Sequence, residues 1–169
     1  MGHIFTGTHR HKVDGKGRVS IPADFRSVLQ TCDPEWAEGL NPTVFIHFGP
    51  PRQRHLVCYT NEALQEIDAN IKKLRRGSQQ RRKAQAAFLG LGMKTTVDET
   101  GRLVLSAALR EKAGLTDQVV FAGRGDTFEV WNPAAYDAEM EAYFEEEEDV
   151  DALDILEAVE LEIEQMGER

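Results

Sequence analysis

Residues Val13 to Arg26 read VDGKGRVSIPADFR, and Val97 to Arg110 read VDETGRLVLSAALR. The two stretches lie 84 positions apart and align without a gap. Val13/Val97, Asp14/Asp98, Gly17/Gly101, Arg18/Arg102, Ala23/Ala107 and Arg26/Arg110 are identical, and Val19/Leu103, Ile21/Leu105 and Phe25/Leu109 keep apolar character. Such an internal repeat fixes the architecture, because each copy is one supersecondary unit that has to bury its apolar face against another.

Working outward, each copy predicts the same order of elements. In the first, Thr8 to Val13 reads as extended, residues 15 to 17 as a turn, Arg18 to Ile21 as a strand and Pro22 to Leu29 as a short helix. Proline suits a helix start because its missing N–H would be unpaired there. In the second copy Ser106 fills that slot, where its hydroxyl can cap the helix instead. The apolar runs TVFIHF (43–48) and HLVCYT (55–60) then match DQVVFAGR (117–124) and TFEVWN (127–132), with Leu56, Cys58 and Tyr59 aligned to Phe128, Val130 and Trp131. Arg18 to Tyr59 spans 41 residues and Arg102 to Trp131 only 29, so the first copy carries 12 more, expected in surface loops around DPEWAEGLNP and GPPRQR.

Between the copies, NEALQEIDANIKKLRR places Leu64, Ile67, Ile71 and Leu74 at helical spacing. Gly77-Ser78 interrupts, and QQRRKAQAAFLG resumes the pattern with Ala84, Ala87, Phe88 and Leu91, which predicts a helical pair joining two β-rich halves. A further helix starts at NPAAYDAEMEAYF, with Asn132 as candidate N-cap. The resulting division is a first repeat at 8–61, a connecting pair at 62–92, a second repeat at 93–136 and an acidic tail at 137–169.

Length and charge bound what this architecture can do. A chain of 169 residues that is 41% hydrophobic can bury a core, and no apolar run is long enough to span a membrane. The start MGHIFTGTHRHK has no secretory apolar stretch, and Cys32 and Cys58 form no ligand spacing, so a reduced cytoplasmic setting is expected. The net charge of −9 conceals a division. Residues 1–136 hold 19 Lys and Arg against 14 Asp and Glu, a balance of +5, while residues 137–169 hold only Arg169 against 15 acids, a balance of −14. In that tail Val150, Leu153, Leu156, Val159 and Ile163 fall near one face, so it is either a helix awaiting a partner or a solvated extension.

The repeated motif also has a chemistry. An Asp and an Arg four apart, with glycine immediately before the arginine, bracket a tight turn in which the carboxylate can meet the guanidinium or the turn amides. Asp14 and Asp98, with Gly17 and Gly101, then serve to structure the turn. An arginine held by a neighbouring acid is preset for bidentate contact with phosphate or a guanine edge, which makes Arg18 and Arg102 candidate DNA contacts. Arg10, Lys12 and Lys16 add positive charge to the first hairpin.

A catalytic reading finds less to build on. The five histidines, His3, His9, His11, His47 and His55, all lie in the first half. His9 and His11 alternate on one strand face and could bind a metal, but no third ligand stands at a recognisable spacing. GRGD at 123–126 reads as a hairpin turn, since no helix opening with GK[ST] follows. Neither a cofactor, a metal nor a small-molecule substrate is expected.

The pair VDGKGRVSIPADFR and VDETGRLVLSAALREKAGL, with FAGRGDTFEVWNP closing the second half, resembles the MraZ family of bacterial transcriptional regulators. The resemblance runs from about Met1 to Tyr143, and both copies of the family's DxxxR signature are present, as Asp14/Arg18 and Asp98/Arg102. It implies an α+β fold of tandem AbrB-like halves, each an incomplete swapped hairpin, interlocked into one small β-barrel with flanking helices. It further implies a nucleoid-associated repressor without cofactor or catalysis. Such a protein assembles into a closed homo-oligomeric ring and binds direct repeats in promoter DNA upstream of its own gene, in the division and cell-wall cluster. Ser106 and Glu99-Thr100 depart from the first copy's Pro22 and Gly15-Lys16, so the first hairpin is expected to contribute more to DNA binding. AbrB-like folds also occur in antitoxins, where a tail neutralises a partner protein, and the acidic extension after Phe144 keeps that alternative open.

Overall fold

The computed structural model describes residues 3–145 and 151–168. The chain divides into two compact units between Pro133 and Ala134. In the first, the repeat reappears with its 84-residue offset intact: β1 (Thr8–Lys12) corresponds to β5 (Gly92–Thr96), and β2 (Arg18–Ser20) to β6 (Arg102–Val104). Helix α1 (Ala23–Thr31) corresponds to the shorter α4 (Ala107–Lys112). Pro22 stands immediately before α1, and the Ser106 hydroxyl accepts the Leu109 N–H at 3.3 Å, so both expected helix starts form at the same repeat position.

Strands β3 (Thr43–His47) and β4 (Leu56–Thr60) form the first half's hairpin, and β7 (Gln118–Gly123) and β8 (Thr127–Trp131) the second's. The β7–β8 turn contains GRGD as expected, with Gly125 at φ +84° and the Arg124 N–H donated to the Thr127 carbonyl at 2.8 Å. All six long strands join one antiparallel sheet in the order β1-β7-β8-β4-β3-β5. The first strand of each half has left its own half: β1 pairs with β7 and β5 with β3. Strands β2 and β6 form a separate two-stranded ribbon. The expected closed barrel is therefore not what forms. The ladder stays open, with β1 and β5 as its edges, because each edge strand runs on into a turn and gives its continuation to the ribbon.

The core lies under this sheet. Phe5, Phe25, Phe121 and Phe128 meet edge-on or tilted with centroids 4.9–6.4 Å apart, and Leu29, Ile46, Leu56, Leu103 and Leu105 complete it. Val19 and Leu103 point inward from the centre of the ribbon while their neighbours face out, which is the period-two alternation of a half-buried strand. The first copy's extra loops are anchored rather than loose. Asp33 is buried, accepting from the Thr43 N–H at 2.9 Å and from the Asn61 amide at 2.8 Å, and Gln53 donates to the His47 and His55 carbonyls.

The connection between halves is helical but differs in detail from its sequence pattern. Helix α2 (Asn61–Lys72) is capped by Thr60 and stops before Leu74, which is 40% exposed. Helix α3 (Gln79–Ala84), capped by Ser78, continues as a π-helical turn over Gln85–Leu89. Leu91 is not part of it: its carbonyl accepts the Phe48 and Gly49 N–H groups, so the residue already belongs to the approach to β5. Gly90 caps the π-helical turn and Gly92 opens β5, where a Cβ would stand 2.2 Å from the tip of the Phe45 ring, so a side chain there would displace that ring. In the second unit, α5 (Pro133–Phe144) starts where expected, while the Asn132 amide donates to the Gly114 carbonyl at 2.7 Å. Helix α6 (Ala152–Gly167) begins at an Asp151 cap, with Leu153, Leu156, Val159 and Ile163 all exposed; Val150, assigned to the same face, lies outside the described residues. Among the described residues no helix is long and apolar enough to cross a membrane.

Candidate nucleic-acid interface

Both DxxxR turns close in the same way. The Asp14 N–H donates to the Arg18 carbonyl at 3.0 Å, and Asp98 repeats this with Arg102 at 2.9 Å. One carboxylate oxygen of Asp14 accepts the backbone N–H groups of Lys16 and Arg18, both at 2.9 Å, and the other accepts Arg18 Nε at 2.6 Å. Asp98 makes the equivalent set with Thr100 N, Arg102 N and, at 3.2 Å, Arg102 Nε. The Arg18 backbone N–H, with the guanidinium and the Lys16 N–H behind it, holds the Asp14 carboxyl at about 2 against an ordinary 3.8. Asp98 is lowered to about 2 in the same way, led by the Arg102 N–H and aided by the Thr100 hydroxyl.

The arginines are oriented rather than consumed by this pairing. Each spends Nε on its carboxylate, and each side chain remains 38% exposed. The outer guanidinium nitrogens, Nη1 and Nη2, make no bond among the described residues, which leaves donors in the planar fork that suits phosphate or a guanine edge. The ribbon brings the two forks together. Its register pairs Arg18 with Val104 and Ser20 with Arg102, so these four share the outward face while Val19 and Leu103 fill the inner one.

The remaining candidates fall along β1. Arg10 and Lys12 are exposed, alternating with half-buried His9 and His11, and the strand runs directly into the Asp14 turn, where Lys16 is exposed at the tip. His9 and His11 face the core instead. Their rings meet Phe25 and Phe121 edge-on, each at 5.4 Å, and His11 Nδ1 bonds to the Ser20 carbonyl. No group of three or more His, Cys, Asp or Glu side chains among the described residues could hold a metal. The second turn carries Thr100 where the first has Lys16, and its hydroxyl donates to Asp98 at 2.8 Å, so one turn gains a cation and the other an internal bond.

Sequence reading did not assign a role to Arg26 and Arg110, although their identity across the repeat was visible. Arg26 braces the crossing of the two halves, and Arg110 braces the strand end of its own half at the point where the first copy's turn meets it. Arg26 Nη2 donates to the Glu99 carbonyl at 3.2 Å, within the other copy's turn. Arg110 Nε donates to the Leu105 carbonyl at 3.1 Å, beside Gly17. The backbone crosses too: the Ile21 N–H donates to the Gly101 carbonyl at 3.0 Å and the Leu105 N–H to the Gly17 carbonyl at 2.7 Å. Each motif glycine thus supports the opposite half, and the two turns form one rigid unit.

This is a tandem-repeat α+β protein presenting two acid-held arginines on one exchanged ribbon. The chain belongs to the MraZ family. It matches the family described as "MraZ protein, putative antitoxin-like" over residues 4–32 and 89–155. It is 53% identical over 146 residues to the "Transcriptional regulator MraZ" of Ruegeria pomeroyi, covering 86% of this chain and 87% of that one. It is 48% identical over 161 residues to the protein of the same name from Ruegeria sp. strain TM1040, covering 92% and 96% of the two chains. With that of Parvibaculum lavamentivorans it shares 39% over 135 residues, 79% of each.

Proposed function

We propose that this protein is a transcriptional regulator that binds double-stranded DNA in a sequence-specific manner and acts as a repressor, with no catalytic step. One observation carries the reading: Arg18 and Arg102, each fixed by its own aspartate, project from the same face of the β2–β6 ribbon. Two guanidinium forks held at a fixed separation can straddle a groove, and lost side-chain freedom is already accounted for before DNA arrives. Arg10, Lys12 and Lys16 supply phosphate contacts beside the first fork, and Asp14, Gly17, Asp98 and Gly101 hold the turns. The names of the relatives support the regulatory role.

The two exchanged halves are read as AbrB-like swapped hairpins, spanning 8–61 and 93–136 around the connecting pair at 62–92. Strands β1 and β5, the two ends of the strand order, suit further association of copies, and a heterologous contact that closes gives a ring. Such a ring presents several ribbons at regular spacing, which fits direct repeats in a promoter upstream of the protein's own gene in a division and cell-wall cluster. A regulator of this kind works in the cytoplasm, on the nucleoid. The antitoxin wording of the family description favours one second reading, in which the acidic tail at 137–169 binds a partner protein.

A mobility-shift titration of the full chain against its own upstream region and against random DNA of equal length tests the proposal. Arg18→Ala is expected to abolish the preference for the upstream region while leaving the fold and assembly unchanged, and Arg102→Ala to weaken it less. Equal affinity of the natural chain for both DNAs rules out sequence-specific regulation, and unfolding by Arg18→Ala makes the motif a purely structural ion pair.

A further inference from the structure

The positive charge of the first unit is not where the two motifs are. From Ala69 to Val97 the chain holds Lys72, Lys73, Arg75, Arg76, Arg81, Arg82, Lys83 and Lys94, with no Asp or Glu among these 29 residues. Without that segment, residues 1–136 contain 11 basic against 14 acidic side chains, a balance of −3, so these 29 residues, from the last turn of α2 through β5, account for the whole positive balance of +5.

The hairpin is built, not slack. Ser78 caps α3, the Ser78 N–H donates to the Arg75 carbonyl at 3.0 Å, and Gly77 turns the chain at φ +82°. Arg81 Nη1 closes the loop by donating to the Leu74 carbonyl at 3.3 Å. On its inner side Phe88 packs against Phe45 and Tyr59, while His47 stacks on Phe88 and bonds the Ala87 carbonyl at 2.9 Å. Some of the cations have local tasks: Lys72 pairs with Asp68 at 2.8 Å and Lys73 donates to Asn70 at 3.0 Å. Arg75, Arg76, Arg82 and Lys83 have none among the described residues; all four are exposed, and the last two line an open groove of 530 Å³ with Gln79, Gln85 and Ala86. Four solvated cations on a rigid scaffold repel one another unless an anion lies across them.

We propose that this hairpin is a second DNA-contacting surface, one that holds phosphates of the duplex backbone through Arg75, Arg76, Arg82 and Lys83 and carries no sequence information. The inference rests on the DNA-binding reading above and divides its work between two elements. The hairpin leads into β5 at Gly92 and the second motif turn follows β5 after Thr96, so a single strand joins the element that carries these cations to the turn that holds Arg102. One duplex can contact both. The ribbon forks then read the site, and the hairpin contributes affinity and steering, since phosphate contacts position a protein and base contacts specify it.

The test uses the full chain with Arg75, Arg76, Arg82 and Lys83 all changed to Gln, beside a version with the three arginines changed to Lys. Binding to the upstream region and to random DNA is measured from 50 to 300 mM salt, with assembly followed by light scattering. Each phosphate contact adds about −0.9 to the slope of log K against log salt, so the Gln variant is expected to lose roughly 2–4 units of slope. Its affinity should fall by at least about tenfold on both DNAs alike, leaving their ratio unchanged, and the Lys variant should keep the natural slope. A natural chain that binds neither DNA ends the regulatory reading and this one with it. An unchanged slope in the Gln variant, a changed preference ratio, failure of the Lys variant to restore binding, or loss of assembly overturns this inference alone. Loss of assembly identifies the hairpin as a docking surface for an acidic segment of a second copy.

Discussion

The Leu105 N–H donates to the Gly17 carbonyl at 2.7 Å, and the Leu105 carbonyl passes so close to Gly17 that a Cβ there would stand 2.1 Å from its oxygen. Gly17 also sits at φ +82°. Gly101, its repeat partner at φ +79°, has nothing nearer a Cβ than the Arg26 guanidinium at 3.7 Å. The matched glycines are therefore required for different reasons. Left-handed backbone at a residue with a Cβ costs about 1–3 kcal/mol. At Gly17 the ribbon must also separate from the turn, weakening a backbone hydrogen bond worth about 1 kcal/mol. Gly17→Ala is expected to lower stability by about 2–4 kcal/mol, about 1 kcal/mol more than the roughly 1–3 kcal/mol expected for Gly101→Ala, with Tm falling roughly 2–4 °C further at Gly17. Calorimetry of the two variants checks the order; equal losses would mean that backbone conformation alone sets the requirement.

Acid should loosen the turns before it unfolds the core. Asp14 and Asp98 are held at about 2 from an ordinary 3.8 by the N–H groups and guanidinium that they accept. A carboxylate whose folded value is depressed binds fewer protons folded than unfolded, so its contribution is complete above about pH 4 and drains away as the pH falls toward 2. Both groups lie at the surface, where solvent and salt weaken the pairing. The paired substitution Asp14→Asn with Asp98→Asn is expected to lower stability at pH 7 and to flatten the acid limb between pH 4 and 2. Urea titrations across that range provide the measurement. An acid limb as steep in the double variant as in the natural chain would assign it to other carboxylates.

Much of this was legible from the repeat itself. The 84-residue offset located β1, β2, α1 and their counterparts, because the turn glycine, the inward Val19/Leu103 pair and the helix-start residues each obey local rules. Strand pairing was not legible. Alternation tells which side of β1 is buried, but not that its neighbour is β7, 106 or more residues away in the chain. The cross-brace was hidden for the same reason: Arg26 stood out as identical to Arg110, yet the carbonyl that Arg26 reaches belongs to residue 99. The location of charge was legible as well: within the first 136 residues, 69–97 hold eight basic side chains and no Asp or Glu, although no local rule says what such a stretch faces in the fold.

The acidic tail is expected to restrain DNA binding. Residues 137–169 carry −14 on the same chain as a cation-rich hairpin and two arginine forks, and a tether raises the tail's effective concentration near basic surfaces to about millimolar. Such competition is electrostatic and should weaken with salt, as the Debye length falls to about 8 Å at physiological ionic strength and about 3 Å at 1 M. Changing Glu157, Glu160, Glu162 and Glu164 to Gln removes four of these charges while leaving the Asp151 cap and the apolar residues of α6 in place. The full-length variant is expected to bind DNA more tightly than the natural chain at 50 mM salt, with the two curves converging as salt rises. Weaker binding, or a change in assembly on neutralisation, would mean instead that the exposed Leu156, Val159 and Ile163 face docks between subunits and that its acids pair with basic residues there.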